Sequence, residues 1–208
     1  MILPDYLAPD LRLVICGTAA GDASAARGHY YAGPGNKLWE HLYLAALTPV
    51  RFAPEDDANI LMYGIGLTDV AKHAHGTDDR IPRGAYDAEA FIAKIAMFRP
   101  AWIAFHGKTS AKVISRHLGW GAEVAYGEQG WPVATSKVFV LPSSSGANQR
   151  RDYDGRPDRL SWFEELARLA GFAASGGPAP GLAAPPPGAA APGGAPIRGD
   201  GGAVGEAQ

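Results

Sequence analysis

A single cysteine, Cys16, stands among 208 residues. It excludes a disulfide framework, a Cys-rich metal site and four-cysteine iron–sulfur ligation. No apolar run approaches ~18 residues, so no transmembrane helix is expected and no membrane partner is implied. The N-terminus lacks a positively charged stretch and carries Asp5 and Asp10 among its apolar residues, unlike a secretory signal. The default expectation is therefore a cytoplasmic location. Net charge is only −2, which excludes a histone-like polycation but leaves a locally basic face open.

Aromatic residues are missing from one region altogether. Residues 173–208 hold none, and 28 of those 36 residues are Ala, Gly or Pro. Such a stretch cannot bury enough apolar surface to offset the entropy of ordering it, and it reads as a disordered tail. Residues 1–172 keep all 20 aromatic residues and have the length of one domain with one core.

Within that domain the pattern alternates. Leu11–Cys16 reads as a buried strand ending at Gly17, and residues 18–36 read as a long Gly-rich loop. Lys37–Leu47 has helical spacing. Ile60–Leu67 is a second apolar segment, followed by a polar stretch to Arg83. Asp87–Phe98 and Thr109–Leu118 read as helices flanking a strand, Ala101–Phe105. Val133–Leu141 reads as a strand or hairpin, Pro142–Gly146 as a polar turn and Asp158–Leu169 as a closing amphipathic helix. Strands alternating with helices imply an α/β layer fold around a mostly parallel sheet. Ligands in such sheets bind beyond the carboxyl ends of the strands. Those ends are Gly17–Gly21, Gly66–Asp69, His106–Lys108 and Pro142–Gly146, all small and polar.

Single motifs are weak. Gly107-Lys108-Thr109 opens a helix after a strand, but the glycine that a phosphate-binding loop needs five residues earlier is Trp102. Nucleotide hydrolysis by a P-loop is excluded, while an anion contact by Lys108 stays open. His73 and His75 lack a carboxylate at metal-site spacing, so no metal is expected. Ser143-Ser144-Ser145 is not a G-x-S-x-G elbow; it reads as a polar turn able to donate to phosphate oxygens.

In order, the motifs are more specific. Gly17-Thr18-Ala19-Ala20-Gly21, then Tyr30-Tyr31-Ala32-Gly33-Pro34-Gly35-Asn36-Lys37-Leu38-Trp39, then Gly64 to Asp69, Gly107-Lys108, and Val140 to Ser145 run in one consistent order. This set resembles the mismatch-specific uracil/thymine DNA glycosylases, in the uracil-DNA glycosylase superfamily, over Leu11–Gly171. The resemblance implies a three-layer α/β/α sandwich and an enzyme that flips a nucleotide out of the stack. It implies no cofactor, with DNA as partner and a monomer as the default. Tyr31 matches the aromatic that stacks on the flipped base, with Gly17, Ala19 and Ala20 lining the base site. Asn36 matches an asparagine that can cap a helix and reach the base. Ser143, Ser144, Ser145 and Gly146 match the turn that grips the DNA backbone, and Lys108 a phosphate contact.

Two departures sharpen these expectations. The asparagine that positions water in the family falls on Ala19, whose methyl group cannot. Asp69 is the expected replacement, with Asp22 and Asn36 as alternatives and the Thr18 hydroxyl as an adjoining helper. The residue that plugs the base stack falls on Ala147, which is too small; Arg150 or Arg151 would have to substitute, and single-stranded DNA should be accepted. No lysine is placed for Schiff-base chemistry, so the expected reaction is monofunctional hydrolysis of the N-glycosidic bond of uracil. Rival expectations are a glycosylase for hypoxanthine or xanthine and a silent binder of damaged DNA.

Overall fold

A computed structural model describes residues 1–148, 150 and 152–172. Arg151 and the tail at 173–208 lie outside the described residues. Five strands form one sheet: β1 (Leu13–Gly17), β2 (Ile65–Asp69), β3 (Trp102–His106), β4 (Gly127–Glu128) and β5 (Lys137–Leu141). Their order is β2-β1-β3-β5-β4. All pairs are parallel except the antiparallel edge pair of β4 with β5. The helices are α1 (Asp22–Arg27), α2 (Leu38–Leu44), α3 (Ala88–Phe98), α4 (Lys108–His117) and α5 (Leu160–Leu169).

Side-chain alternation along the strands divides the helices between two faces. Phe105 of β3 packs against Phe91 of α3, with ring centroids 5.8 Å apart. Phe139 of β5 packs against Trp162 of α5 at 6.4 Å. Phe139 is in register with Ala104, one residue from Phe105, so the two rings point to opposite faces. The expected three-layer sandwich is thus present, and β1, β2 and β3 are buried along their length, as parallel strands covered on both faces must be.

Three local features depart from the sequence reading. The segment expected at Ile60–Leu67 is displaced: Pro54–Tyr63 forms a 3-10 helix, closed by Gly64 at φ 72°, and the strand starts at Ile65 and includes Asp69. The long loop after β1 contains the short helix α1. The N-terminal arm pairs with the free edge of β2, Tyr6 and Leu67 exchanging backbone hydrogen bonds of 3.0 and 2.9 Å. A Cβ on Gly66 would lie 2.6 Å from the Tyr6 carbonyl oxygen, so this close approach requires glycine. Among the described residues no helix is long and apolar enough to cross a membrane. Nor does any group of three or more His, Cys, Asp or Glu side chains converge there on a possible metal position.

Candidate active site

The parallel register brings three residues into one row at the carboxyl ends of β2, β1 and β3. Gly17 is paired with Asp69, and Cys16 with Phe105, which sets His106 on the other side of Gly17. All three project from the face that carries α5, opposite Phe105. Neighbouring strands are about 4.8 Å apart, so Asp69 and His106 flank a gap roughly 10 Å wide at the backbone. Gly17 keeps that gap open. A Cβ there would lie 2.3 Å from Asp69 Oδ1 and 3.3 Å from the Tyr31 hydroxyl. Above the row is a cavity of about 470 Å³, lined among others by Thr18, Ala19, Tyr31, Asn36 and Ser143. That volume lies within the ~300–1,000 Å³ range of small-molecule sites.

Asp69 is 4% exposed. Its carboxylate has no hydrogen-bond or ion-pair partner among the described residues. The cations that could neutralise it are engaged elsewhere. Lys72 Nζ lies 3.0 Å from Asp5 Oδ1 and donates to the Tyr30 hydroxyl at 2.8 Å. Lys94 Nζ lies 2.5 Å from Asp5 Oδ2. The simple alternative, a structural pair of Asp69 with Lys72, is therefore not formed. Burial pushes the Asp69 carboxyl up to about 6, against the opposing pull of Lys72 and Lys94. Asp22, the alternative carboxylate, is exposed and held by Arg80 at 2.5 Å and His75 at 2.9 Å.

The loop between α1 and α2 is anchored through Tyr30. Its ring is buried, its backbone N–H donates to Asp57 Oδ2 at 2.8 Å, and its hydroxyl donates to the Pro4 carbonyl at 3.0 Å. With Tyr30 fixed, Tyr31 takes a left-handed backbone, φ 53°. A tyrosine there costs about 1–2 kcal/mol, a strain that recurs at functional sites. Its ring meets His106 edge-on, with centroids 4.9 Å apart. Its buried hydroxyl has no hydrogen-bond partner among the described residues. Burial first, and the nearby Asp69 second, hold that hydroxyl well above its ordinary range, so it stays protonated. Asn36 Oδ1 accepts the Leu38 N–H at 2.9 Å; this is not the expected cap, because Lys37 is the N-cap of α2 and Asn36 stands one residue before it. Its amide nitrogen has no protein partner among the described residues, and the residue lines the cavity.

The serine turn divides in two. Ser143, Ser145 and Ala147 line the cavity, and Gly146 packs against the Gly35 backbone, where a Cβ would lie 3.1 Å from the Gly35 oxygen. Ser144 is a correction to the sequence reading. It is fully buried, so its hydroxyl cannot reach a DNA phosphate. The hydroxyl meets His41 Nδ1 at 3.1 Å, while its backbone N–H donates to His106 Nε2 at 2.9 Å. Burial, reinforced by His41 and Arg159, lowers His106 to about 3, so its ring is neutral. Sequence reasoning placed His106 only at a strand end; its partner lies 38 residues away and left no local signal.

A second depression, about 960 Å³, adjoins the cavity at Ser143 and Asn148 and is lined by Lys108, Lys112 and Arg150. Lys108 is not a free cation. Its Nζ lies 3.0 and 2.8 Å from the two Asp154 oxygens and 4.1 Å from the Tyr126 ring centroid.

The sequence profile of the uracil DNA glycosylase superfamily matches residues 4–167. The fold is similar to the solution structure of a candidate uracil DNA glycosylase from Methanosarcina acetivorans, with a TM-score of 0.55 and 24% identity, covering 81% of this chain and 96% of the other.

Proposed function

The chain belongs to the uracil DNA glycosylase superfamily, and we propose that its own reaction is hydrolytic removal of uracil from DNA, within the mismatch-specific branch. A DNA glycosylase role follows from the family; the choice of base and the residue roles are this reading. The extruded base enters the cavity beside Tyr31, with Gly17, Ala19 and Ala20 forming its wall. Water attacks the anomeric carbon as the carbon–nitrogen bond breaks. The bonding electrons leave with the base, and the water proton passes to Asp69. The ionised carboxylate also offsets positive charge developing on the sugar. Thr18 and Asn36 supply polar groups beside that water and base. No lysine nucleophile is used, so the product is an abasic site.

One observation carries this reading: a buried carboxylate at a cavity wall, unpaired although two lysines lie near. A structural carboxylate with that burial would be neutralised. A site that must accept a proton near neutral pH benefits from the opposite arrangement.

DNA would lie across Ser143, Ser145, Gly146 and Ala147, its backbone running toward Lys108 and Arg150, with Arg151 alongside in sequence. Because Ala147 is too small to fill a vacated base stack, uracil in single strands is cleaved at least as well as in duplexes. Single-turnover excision from single-stranded, U·A and U·G oligonucleotides, with hypoxanthine in parallel, tests the reading. Absence of uracil release from all three sinks it; faster release of hypoxanthine would move the activity to the purine-type rival.

Asp154 restrains the neighbouring positive charge. Asp154→Asn frees Lys108 for phosphate and is expected to tighten DNA binding severalfold at low salt. The plot of log affinity against log salt should steepen by about 1. An unchanged slope in fluorescence anisotropy titrations would remove Lys108 from the DNA-binding surface.

A further inference from the structure

Both lysines near Asp69 are tied to one other carboxylate, Asp5. Lys72 Nζ lies 3.0 Å from Asp5 Oδ1, and Lys94 Nζ lies 2.5 Å from Asp5 Oδ2. Thr68 donates to Asp5 Oδ1 at 2.6 Å. Thr68 directly precedes Asp69 in β2, and successive residues of a strand point to opposite faces. Thr68 is in register with Cys16, and Cys16 with Phe105, whose ring packs on α3. Asp5 therefore meets Thr68 and Lys94 on the α3 face, while Asp69 points into the cavity from the other. Asp5 sits on the N-terminal arm, which the Tyr6–Leu67 pair docks on the edge of β2. The arm also holds the backbone of Lys72, whose carbonyl accepts the Ile2 N–H at 2.8 Å. Its Pro4 carbonyl accepts from the Tyr30 hydroxyl, which in turn accepts from Lys72 Nζ at 2.8 Å.

We infer that Asp5 is the positioning residue of Asp69: it holds the ammonium groups of Lys72 and Lys94 off the cavity carboxylate, which is thereby compensated at a distance and not by contact. Its use in the reaction rests on the reading of Asp69 as proton acceptor. Asp5, Asp69, Lys72 and Lys94 form a unit that is neutral when Asp69 is ionised, yet every ion pair in it falls on Asp5. Burial pushes the Asp5 carboxyl up, but hydrogen bonds from Lys94 and Thr68 and the charges of both lysines outweigh it and keep Asp5 ionised. The other titratable groups around Asp69 are uncharged. Burial keeps Cys16 of β1 and Tyr30 and Tyr31 of the α1–α2 loop protonated, and keeps His106 of β3 neutral. A contact pair with Lys72 would cancel the charge that faces the sugar and weaken Asp69 as a base. Without either lysine, burial alone would keep Asp69 protonated. With both lysines near but tied to Asp5, the carboxylate ionises and remains a base.

A ¹³C carboxyl titration of the full-length protein reads this without any reaction, the Asp69 signal being assigned by its loss in Asp69→Asn. Asp5→Asn keeps an oxygen for Thr68 but removes the negative charge. The Asp69 midpoint, about 6 in the wild type, should fall by about one unit in Asp5→Asn and rise by about as much in Lys72→Met. The double variant Asp5→Asn/Lys72→Met removes one charge of each sign and should return within about half a unit of the wild type. A purely structural Asp5 predicts no such cancellation. An Asp69 midpoint that is the same in both single variants as in the wild type overturns the inference. If Asp5→Asn does not fold, Lys72→Met and Lys94→Met decide with the arm intact: midpoints unmoved in both overturn it, and a rise in both supports it.

Single-turnover uracil excision then tells whether the reaction uses this arrangement. The acid limb of the rate should move with the Asp69 midpoint in each variant. At pH 8 the rate should fall about tenfold in Asp5→Asn and recover in the double variant. Midpoints that shift as expected while the limb stays in place leave Asp5 as the positioning residue and remove Asp69 as the proton acceptor. Shifted midpoints with no uracil released from any substrate likewise support the role of Asp5 and remove the glycosylase reading alone.

Discussion

Asp69→Asn is expected to lower single-turnover uracil excision by about 10³-fold while making the folded protein more stable at pH 8. The first effect follows from removing the proton acceptor and the charge beside the sugar, each of which contributes up to several powers of ten. The second follows from the burial of Asp69, which raises its carboxyl to about 6 from an ordinary 3.8. A folded-state value above the unfolded one means that folding favours the protonated form. The associated stability is present below about 4 and is lost as pH rises through 6. At pH 8 the wild type therefore carries a buried charge that opposes folding by on the order of 3 kcal/mol. Asparagine removes that charge. Urea denaturation at pH 8 should show the variant ahead, with its lead shrinking toward pH 4. The wild-type rate should run the other way, falling below about pH 6 as Asp69 is protonated. A rate that is flat from pH 5 to 8, with the variant no more stable, would mean that Asp69 is not ionised in the cavity.

Gly17→Ala should cost about a hundredfold in excision with little or no loss of stability. The added methyl would sit 2.3 Å from Asp69 Oδ1 and 3.3 Å from the Tyr31 hydroxyl, so both must move. A displacement of about 1 Å in a reacting group costs roughly 10² in rate. The backbone offers no objection, since Gly17 is an extended residue within β1 without positive φ. Alanine in a strand even gains about 0.5–1 kcal/mol over glycine from the lower entropy of its unfolded chain. Full activity in the alanine variant would show that the carboxylate position is not critical. A large drop in melting temperature would show that Gly17 serves packing instead.

The architecture was readable because buried parallel strands announce themselves as short apolar runs. Leu13–Gly17, Trp102–His106 and Lys137–Leu141 all coincide with such runs to within a few residues. The row of strand-end residues was readable for the same reason. What failed was either too short or too distant to leave a pattern. Six-residue α1 has less than two turns in which periodicity could show, and two-residue β4 has none. Ile60 was read into one apolar segment with Leu67 but belongs to a 3-10 helix that Gly64 closes before β2 pairs with β1. Ser144 shared its composition with two neighbours that line the cavity, yet its burial is decided by His41 and His106, far off in sequence. Tyr31 was singled out by motif position and lines the cavity, but its left-handed backbone follows the anchoring of Tyr30 by Asp57 and Pro4.

The strand order has a consequence in time. β1 is the first strand made, yet it lies between β2 and β3, and the other edge of β3 is covered only by β5. Every pairing in the parallel part needs a crossover to close first, and such non-local closure is slow. Asp69 takes its place beside Gly17 when β2 pairs with β1, His106 when β3 does, and the contact of His106 with Ser144 needs β5 as well. Base excision should therefore be among the last properties to appear on refolding, since the cavity needs all three pairings.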